Sequence, residues 1–539
     1  MKKFSVFFLF SFVLILSSCK EQIPQINSLN PRIGMMGELL TIRGEHFGNE
    51  KDESFVTIAG IPPTSSSYIE WQDNLIRIRV PEFGDSGLIR VHAGGRASNA
   101  LLFSNRAALP APVSGTDVGI GPQIASVSPQ SGQIGSLVTI TGNGFGSSRE
   151  GCGVYFSWDA EPTPASPAEE RSPGTVEVFE DEAGYELWSE REIRVRVPDG
   201  AVSGNLEVRT LRGNSRPVFF DVSAKPGTKT FRDKRSYTLA FGVDIQVQNA
   251  AGPNTLYLWA PRPAASASQR NTELLSRSME PFVENYRGTT LFQLTNLSPN
   301  TTVGISMSYK VEVYTQETSI KPQSIRQESV SPMVSFTLPS AIIPSGDEQI
   351  KTLANTITGK ERNPYIKAQG IYEWLIREVN IQNAGLTGGA IEALGEKKAD
   401  PYRASLLFCS LARAAGIPAI PVSGVLVNRF RTASRHYWAE FWIDGFGWVP
   451  LDPALGAGAA PEGFSLRENP QGWYFGNLDN QRIAFSRDLS TLSQMDPRGR
   501  PAVRDRSYAL QNLWEEAVGG LESYSSLWGD ITITGAYAE

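Results

Sequence analysis

The chain has 539 residues, 40% hydrophobic, 20% charged and 10% aromatic, a composition that excludes wholesale disorder and a multi-span membrane protein. At roughly 150 residues per domain, this length requires about three or four domains rather than one core. Fifty Lys and Arg against 56 Asp and Glu give a net charge of −6 without a dense basic tract, which argues against nucleic acid as a partner.

Lys2-Lys3, an apolar run from Phe4 to Leu16 and then Ser17-Ser18-Cys19 form a compact export signal, too short to span a bilayer. Leu16-Ser17-Ser18-Cys19 resembles the bacterial lipobox. The resemblance implies loss of residues 1–18, lipidation of Cys19 and attachment of the exported protein to a membrane by two or three acyl chains. Lys20, in place of Asp, favours the outer membrane where the cell has one. The other cysteines, Cys152 and Cys409, fall in separate expected domains, so no disulfide is expected and burial must supply the stability.

The first half repeats itself. Pro24-Gln25-Ile26, Pro31, Gly34, Gly37, Thr41-Ile42, Gly44 and Phe47-Gly48 recur as Pro122-Gln123-Ile124, Pro129, Gly132, Gly135, Thr139-Ile140, Gly142 and Phe145-Gly146. A second anchor, Tyr68, Trp71 and Arg77-Ile78-Arg79-Val80-Pro81, recurs as Tyr185, Trp188 and Arg194-Val195-Arg196-Val197-Pro198. The second copy is longer, with its extra residues expected in a Pro/Ala/Glu-rich loop around residues 162–173. Alternation such as Ile76-Arg77-Ile78-Arg79-Val80 marks strands with one buried face, and glycines punctuate the turns. Short strands at this density predict antiparallel sandwiches. The two copies resemble IPT/TIG domains, immunoglobulin-like modules, over residues 19–105 and 122–222, with 106–121 as linker. That resemblance implies spacer, adhesion or polysaccharide-binding modules on a bacterial exterior. His46 and His92 stand alone and suggest no metal site.

A third β-rich region, resembling the β-sandwich that precedes transglutaminase-like domains in bacteria, is expected over residues 226–340, with strands that include an alternating stretch at 237–248 and another at 303–314. After Ser345 the period changes. Residues 347–357 and 364–379 read as helices, the second opened by Asn363 and Pro364. Another helix runs from Pro401 to Ala415 and stops at Gly416. Strands come next at 419–427, 437–443 and 448–451, the last two joined by the turn Asp444-Gly445-Phe446-Gly447. The tail is expected to end in a helix over 508–524 and a strand over 530–537, capping a last domain of residues 345–539.

Gly416-Ile417-Pro418-Ala419, His436-Tyr437-Trp438-Ala439-Glu440 and Gly447-Trp448-Val449-Pro450-Leu451-Asp452-Pro453 resemble, in order, the blocks of the transglutaminase-like (papain-like thiol) superfamily. The expected fold class is therefore multidomain: immunoglobulin-like β-sandwich repeats followed by an α+β transglutaminase-like domain. The resemblance implies a thiol nucleophile at a helix N-terminus, His436 as its base and Asp452 as the acid that orients the imidazole. The family's spacing, counted from Gly416 and from Leu394, implies that nucleophile at position 401, which is Pro. Asp400 as N-cap and Pro401 at the first helical position start a helix well but supply no nucleophile.

Cys409 lies eight residues further on, about 12 Å up the helix axis, and is read mainly as a small core residue. Ser405, one turn after Pro401, lacks an identifiable oxyanion hole. Trp438, Trp442 and Trp448 are expected to pack the sheet, with glycan stacking as the alternative. No cofactor and no metal are implied. The expected role is noncatalytic binding or scaffolding with a peptide, protein or polysaccharide ligand. Two rivals stay open: a thiol hydrolase or acyltransferase using Cys409, His436 and Asp452, and a purely structural or adhesive envelope protein.

Overall fold

The computed structural model describes residues 23–538 except 35–36, 59–61, 82–86, 106–120, 148, 150–151, 162–173, 180–183, 224–225, 326–330, 332 and 505. The expected export signal with Cys19, nearly all of the expected linker and the expected Pro/Ala/Glu-rich loop lie outside the described residues. The chain divides into two compact units, residues 1–109 and 110–539.

In the first unit, strands Gln25–Asn30, Leu39–Glu45, Leu75–Arg79 and Tyr68–Gln72 form one sheet in that order. A second sheet is built on Leu101–Asn105, Gly87–Ala93 and Phe55–Ile58. Ile42, Phe47, Ile76, Ile78 and Val91 fill the space between them, as the alternation in the sequence requires. The repeated residues recur as repeated contacts. Trp71 Nε1 donates to the Phe47 carbonyl at 3.0 Å, and Trp188 Nε1 to that of Gly146 at 3.1 Å. The Tyr68 hydroxyl accepts from Val56 N–H and the Tyr185 hydroxyl from Val154 N–H. Gly44 and Gly142 sit where a Cβ would strike the carbonyls of Gln25 and Gln123, which explains glycine in both copies.

In the second unit the corresponding sandwich, residues 122–222, is fused to the rest of that unit through a shared core. Its core residues Val138, Phe156 and Val195 are continuous with Phe231, Ile420, Trp442 and Trp448. Lys229 Nζ lies 2.5 Å from Asp199 Oδ1 and donates to the Trp448 carbonyl at 2.8 Å, pinning three parts of the unit at one buried point.

The third region, expected as a β-sandwich, is hydrogen-bonded as one large sheet because its long first strand pairs along its length with several partners. Its strands are β1 (Gly227–Pro261), β2 (Gln269–Arg277), β3 (Val283–Tyr286), β4 (Thr289–Thr295) and β5 (Thr301–Ile320), ordered β2-β5-β1-β4-β3. Next in the chain are helices α1 (Glu348–Thr358), α2 (Pro364–Glu378), α3 (Ala390–Glu396) and α4 (Pro401–Ala414). As expected from Asn363-Pro364 and Asp400-Pro401, α2 and α4 open on side-chain caps. Then come β6 (Ala419–Val427), β7 (Ala433–Ile443), β8 (Gly447–Leu451), the short α5 (Pro453–Gly456) and β9 (Arg482–Arg487). The four strands form an antiparallel sheet in the order β8-β7-β6-β9.

The tail departs from expectation. Residues 515–524, read as helical from the spacing of Leu510, Leu513, Trp514 and Val518, belong instead to β11 (Glu515–Trp528), which comes after β10 (Arg500–Ala502) and precedes β12 (Thr532–Ala538). β11 pairs antiparallel with β1 from Val243 to Leu258, and β12 pairs with β1 from Arg235 to Ala240. Gly519-Gly520 weakens the helical alternative, and the partner strand lies more than 250 residues away in sequence. The C-terminus thus completes the sheet of the third region rather than capping the last one, and Trp514, Leu521 and Trp528 share a core with Tyr237, Leu239 and Phe241.

Candidate functional site

The site is organised by the alternation of β7. Tyr437, Ala439 and Phe441 face α4: the Tyr402 and Tyr437 rings meet at 5.0 Å, and those of Phe408 and Phe441 at 6.2 Å. The register of β7 against β6 runs without a bulge from Ala433 to Phe441. His436, Trp438, Glu440 and Trp442 therefore lie on the opposite face of the sheet.

On that face His436 is 1% exposed, and its Nε2 lies 2.8 Å from Asp452 Oδ2. Asp452 sits just past β8 and caps α5, its Oδ1 accepting from Leu455 N–H at 3.0 Å. Arg482 on β9 donates from Nη1 to the same Asp452 Oδ2 at 3.0 Å and from Nη2 to Asp479 Oδ2 at 2.7 Å. Its guanidinium lies 4.9 Å from the centre of the Trp438 ring, which is itself stacked near His436. Burial alone would raise the Asp452 carboxyl, but His436, the Arg482 guanidinium and the Leu455 N–H together hold it below its ordinary value. Nothing in the sequence singles out Arg482 and Asp479; their only signal is a common i, i+3 acid–base spacing. A similar pair lies further along the same face, where Arg487 Nη2 donates to Glu440 Oε2 at 2.5 Å.

The structure brings His436 and Asp452 together, as the resemblance implies. It does not bring Cys409 to them. Cys409 is fully buried in α4, in the core formed with Phe408, Ala439 and Phe441 on the other side of the sheet. Burial pushes its thiol far above the usual range, so the proton stays on sulfur. This corrects the rival triad of Cys409, His436 and Asp452, whose members occupy two faces of one sheet.

At the start of α4, Pro401 is buried behind Asp400, whose carboxylate is fully engaged. Asp400 Oδ1 accepts from Arg403 N–H at 2.9 Å, and Oδ2 accepts from Leu386 N–H at 3.0 Å and from Arg506 Nη1 at 2.5 Å. Ser405 is buried and donates to the Tyr402 carbonyl at 2.9 Å.

Nε2 of His436 is committed to Asp452, so in a triad the other nitrogen would serve the nucleophile. Nδ1 is buried and has no hydrogen-bond partner among the described residues. Trp438, Trp442 and Trp448 are each at most 2% exposed, which removes the glycan-stacking alternative for them. A neighbouring cavity, lined by Trp438, Glu440, Asp479 and Arg482, holds about 20 Å³, room for one water. Among the described residues no group of three or more His, Cys, Asp or Glu side chains is placed to hold a metal ion.

Family models match both kinds of domain. The model of the transglutaminase-like superfamily matches residues 351–453, and that of the IPT/TIG domain matches 24–105 and 122–222. An uncharacterized protein of Haemophilus influenzae is 32% identical over 134 residues; the match spans 20% of this chain and 36% of that protein's length. Among solved structures, a candidate cysteine protease from Cytophaga hutchinsonii is 16% identical, with a TM-score of 0.38 over 58% of this chain and 93% of that one. The periplasmic domain of TgpA from Pseudomonas aeruginosa is 14% identical, with a TM-score of 0.25 over 44% and 92% of the two chains. The chain carries two IPT/TIG domains followed by a C-terminal transglutaminase-like domain.

Proposed function

We propose that this protein is a noncatalytic, lipid-anchored protein of the cell envelope whose transglutaminase-like domain works as a scaffold. The observation that carries the reading is the opening of α4: Asp400 and Pro401 stand where a nucleophile is required, and the thiol of Cys409 is buried on the sheet face opposite His436. A thiol hydrolase needs a thiolate within hydrogen-bond reach of its base. Here the base is sealed in a network of buried charges, and the cavity beside it admits a water rather than a peptide or sugar. Scaffolding is therefore favoured over ligand binding in the old catalytic groove. Continuity of the second IPT/TIG core with Trp442 and Trp448 supports the same role, since it makes the transglutaminase-like domain part of a larger rigid unit.

The test of inactivity is alkylation by a maleimide at neutral pH, mapped by peptide mass. Cys409 should label only after denaturation; rapid, pH-dependent labelling in the folded protein, lost in His436→Ala, would overturn the reading. The anchor rests on Leu16-Ser17-Ser18-Cys19. Detergent-phase partition of the expressed protein, with Cys19→Ala moving to the aqueous phase, is the expected outcome; an unchanged partition would refute the lipid anchor.

A further inference from the structure

Lys229 on β1 and Asp199, in the loop after the sandwich strand Glu192–Arg196, meet where the second IPT/TIG sandwich joins the rest of its unit. Their side chains are 3% and 8% exposed. We propose that the two are joined by an isopeptide bond, an amide between Lys229 Nζ and Asp199 Cγ that fastens one module covalently to the next.

The approach is that of reacting groups. Nζ lies 2.5 Å from Asp199 Oδ1, which brings the amine up against the carboxyl carbon. Its direction is fixed by a second hydrogen bond, to the Trp448 carbonyl at 2.8 Å, and the Phe446 ring centre is 5.0 Å away. A Cβ on residue 447 would fall 2.1 Å from the same Oδ1, so only glycine there lets the carboxyl in.

The carboxyl is also poorly provided for as an ion. Asp452 accepts from His436, Arg482 and the Leu455 N–H, and Asp400 from the Arg403 and Leu386 N–H groups and Arg506. Asp199 accepts from Lys229 alone among the described residues. Around it the chain is apolar: Val197 and Ala201, and Phe446 and Trp448 on either side of Gly447, are each at most 1% exposed. A buried ion pair with so few donors recovers little of the cost of leaving water. Condensation removes both charges and leaves a neutral amide whose N–H keeps the bond to the Trp448 carbonyl.

The atoms balance without a co-reactant. The ammonium passes a proton to the carboxylate along the existing hydrogen bond, and the freed amine forms the Nζ–Cγ bond. A second proton then moves from nitrogen to a carboxyl oxygen, the Cγ–O bond breaks and one water leaves. The partners are 30 residues apart, so the bond closes a loop and constrains the unfolded chain as a disulfide does, in a protein whose Cys152 and Cys409 are both free.

The bond is independent of the chemistry at His436, so its test and the thiol test can fail separately. Full-length protein is denatured, digested with trypsin and read by tandem mass spectrometry. A branched peptide is expected, the segment carrying Asp199 joined to that carrying Lys229, one water lighter than the two together and uncut after Lys229. Lys229→Arg and Asp199→Ala should each lose it. Two linear peptides at their own masses in the unaltered protein, with cleavage after Lys229, overturn the proposal whether or not the variants fold. A branched peptide that persists in either variant overturns it as well.

Discussion

If His436 is a scaffold residue, removing it must cost stability; if it is a working base, removal should cost little or none. Catalytic side chains are commonly held at the expense of stability, so their substitution leaves a protein as stable as before or more so. The structure allows the balance for His436→Ala to be worked out. Loss of the hydrogen bond to ionised Asp452 removes about 1.5–3 kcal/mol, and loss of the unpartnered Nδ1 returns about 1–3 kcal/mol, so the two polar terms nearly cancel. What remains is the void left by an imidazole that is 1% exposed and packed beside Trp438, about 2–3 kcal/mol by comparison with other large-to-small core changes. Thermal unfolding followed by circular dichroism should therefore show the second unit melting several degrees earlier in His436→Ala. A variant as stable as the parent, or more stable, would refute the assignment of this histidine to the scaffold.

The same geometry fixes three further outcomes. Pro401→Cys places a thiol at the tip of α4, but Asp400 already occupies the helix terminus and His436 lies across the sheet; no hydrolysis of thioester or peptide substrates is expected, and a His436-dependent thiolate with a pKa below about 8.5 in alkylation kinetics would contradict this. Because the folded-state carboxyl of Asp452 is held below its ordinary value, its contribution to stability is full above roughly pH 4 and is lost as pH falls through the folded value. Melting temperatures measured from pH 6 to pH 2.5 should show an acid limb that Asp452→Asn flattens; an unchanged limb would remove Asp452 from the cause. Deletion of residues 515–539 strips β11 and β12 from β1, exposing the core that contains Val243, Ile245 and Leu256. Aggregation or loss of the cooperative melt is expected, whereas a soluble product with the parental melt would mean that the C-terminal strands are dispensable.

What is legible in the sequence is local in physical origin. The IPT/TIG repeats announce themselves through turn glycines and alternating strands, α4 through its Asp-Pro opening, and the His436–Asp452 pair through a hairpin of fixed length. Each depends on residues within one or two elements of each other. The tail misleads because Leu510, Leu513, Trp514 and Val518 fit a helical stripe, whereas from Glu515 onward the chain pairs with β1, hundreds of residues upstream, which no local pattern can show. Arg482 is invisible for the same reason: its value comes from the adjacency of β9 to the rest of the sheet, not from any local pattern.

The fate of catalysis combines both kinds of information. Proline at 401 stands where the family resemblance expects the nucleophile, while the separation of Cys409 from His436 comes from strand parity, since α4 packs on Tyr437 and Phe441 and His436 then points the other way. A thiol elsewhere on α4 would meet the same obstacle on the α4-facing side of the sheet. On the proposed noncatalytic reading, thiol chemistry at this site requires more than a cysteine at 401: the imidazole would also have to change faces. That is why the Pro401→Cys and His436→Ala experiments probe one structural fact from its two sides.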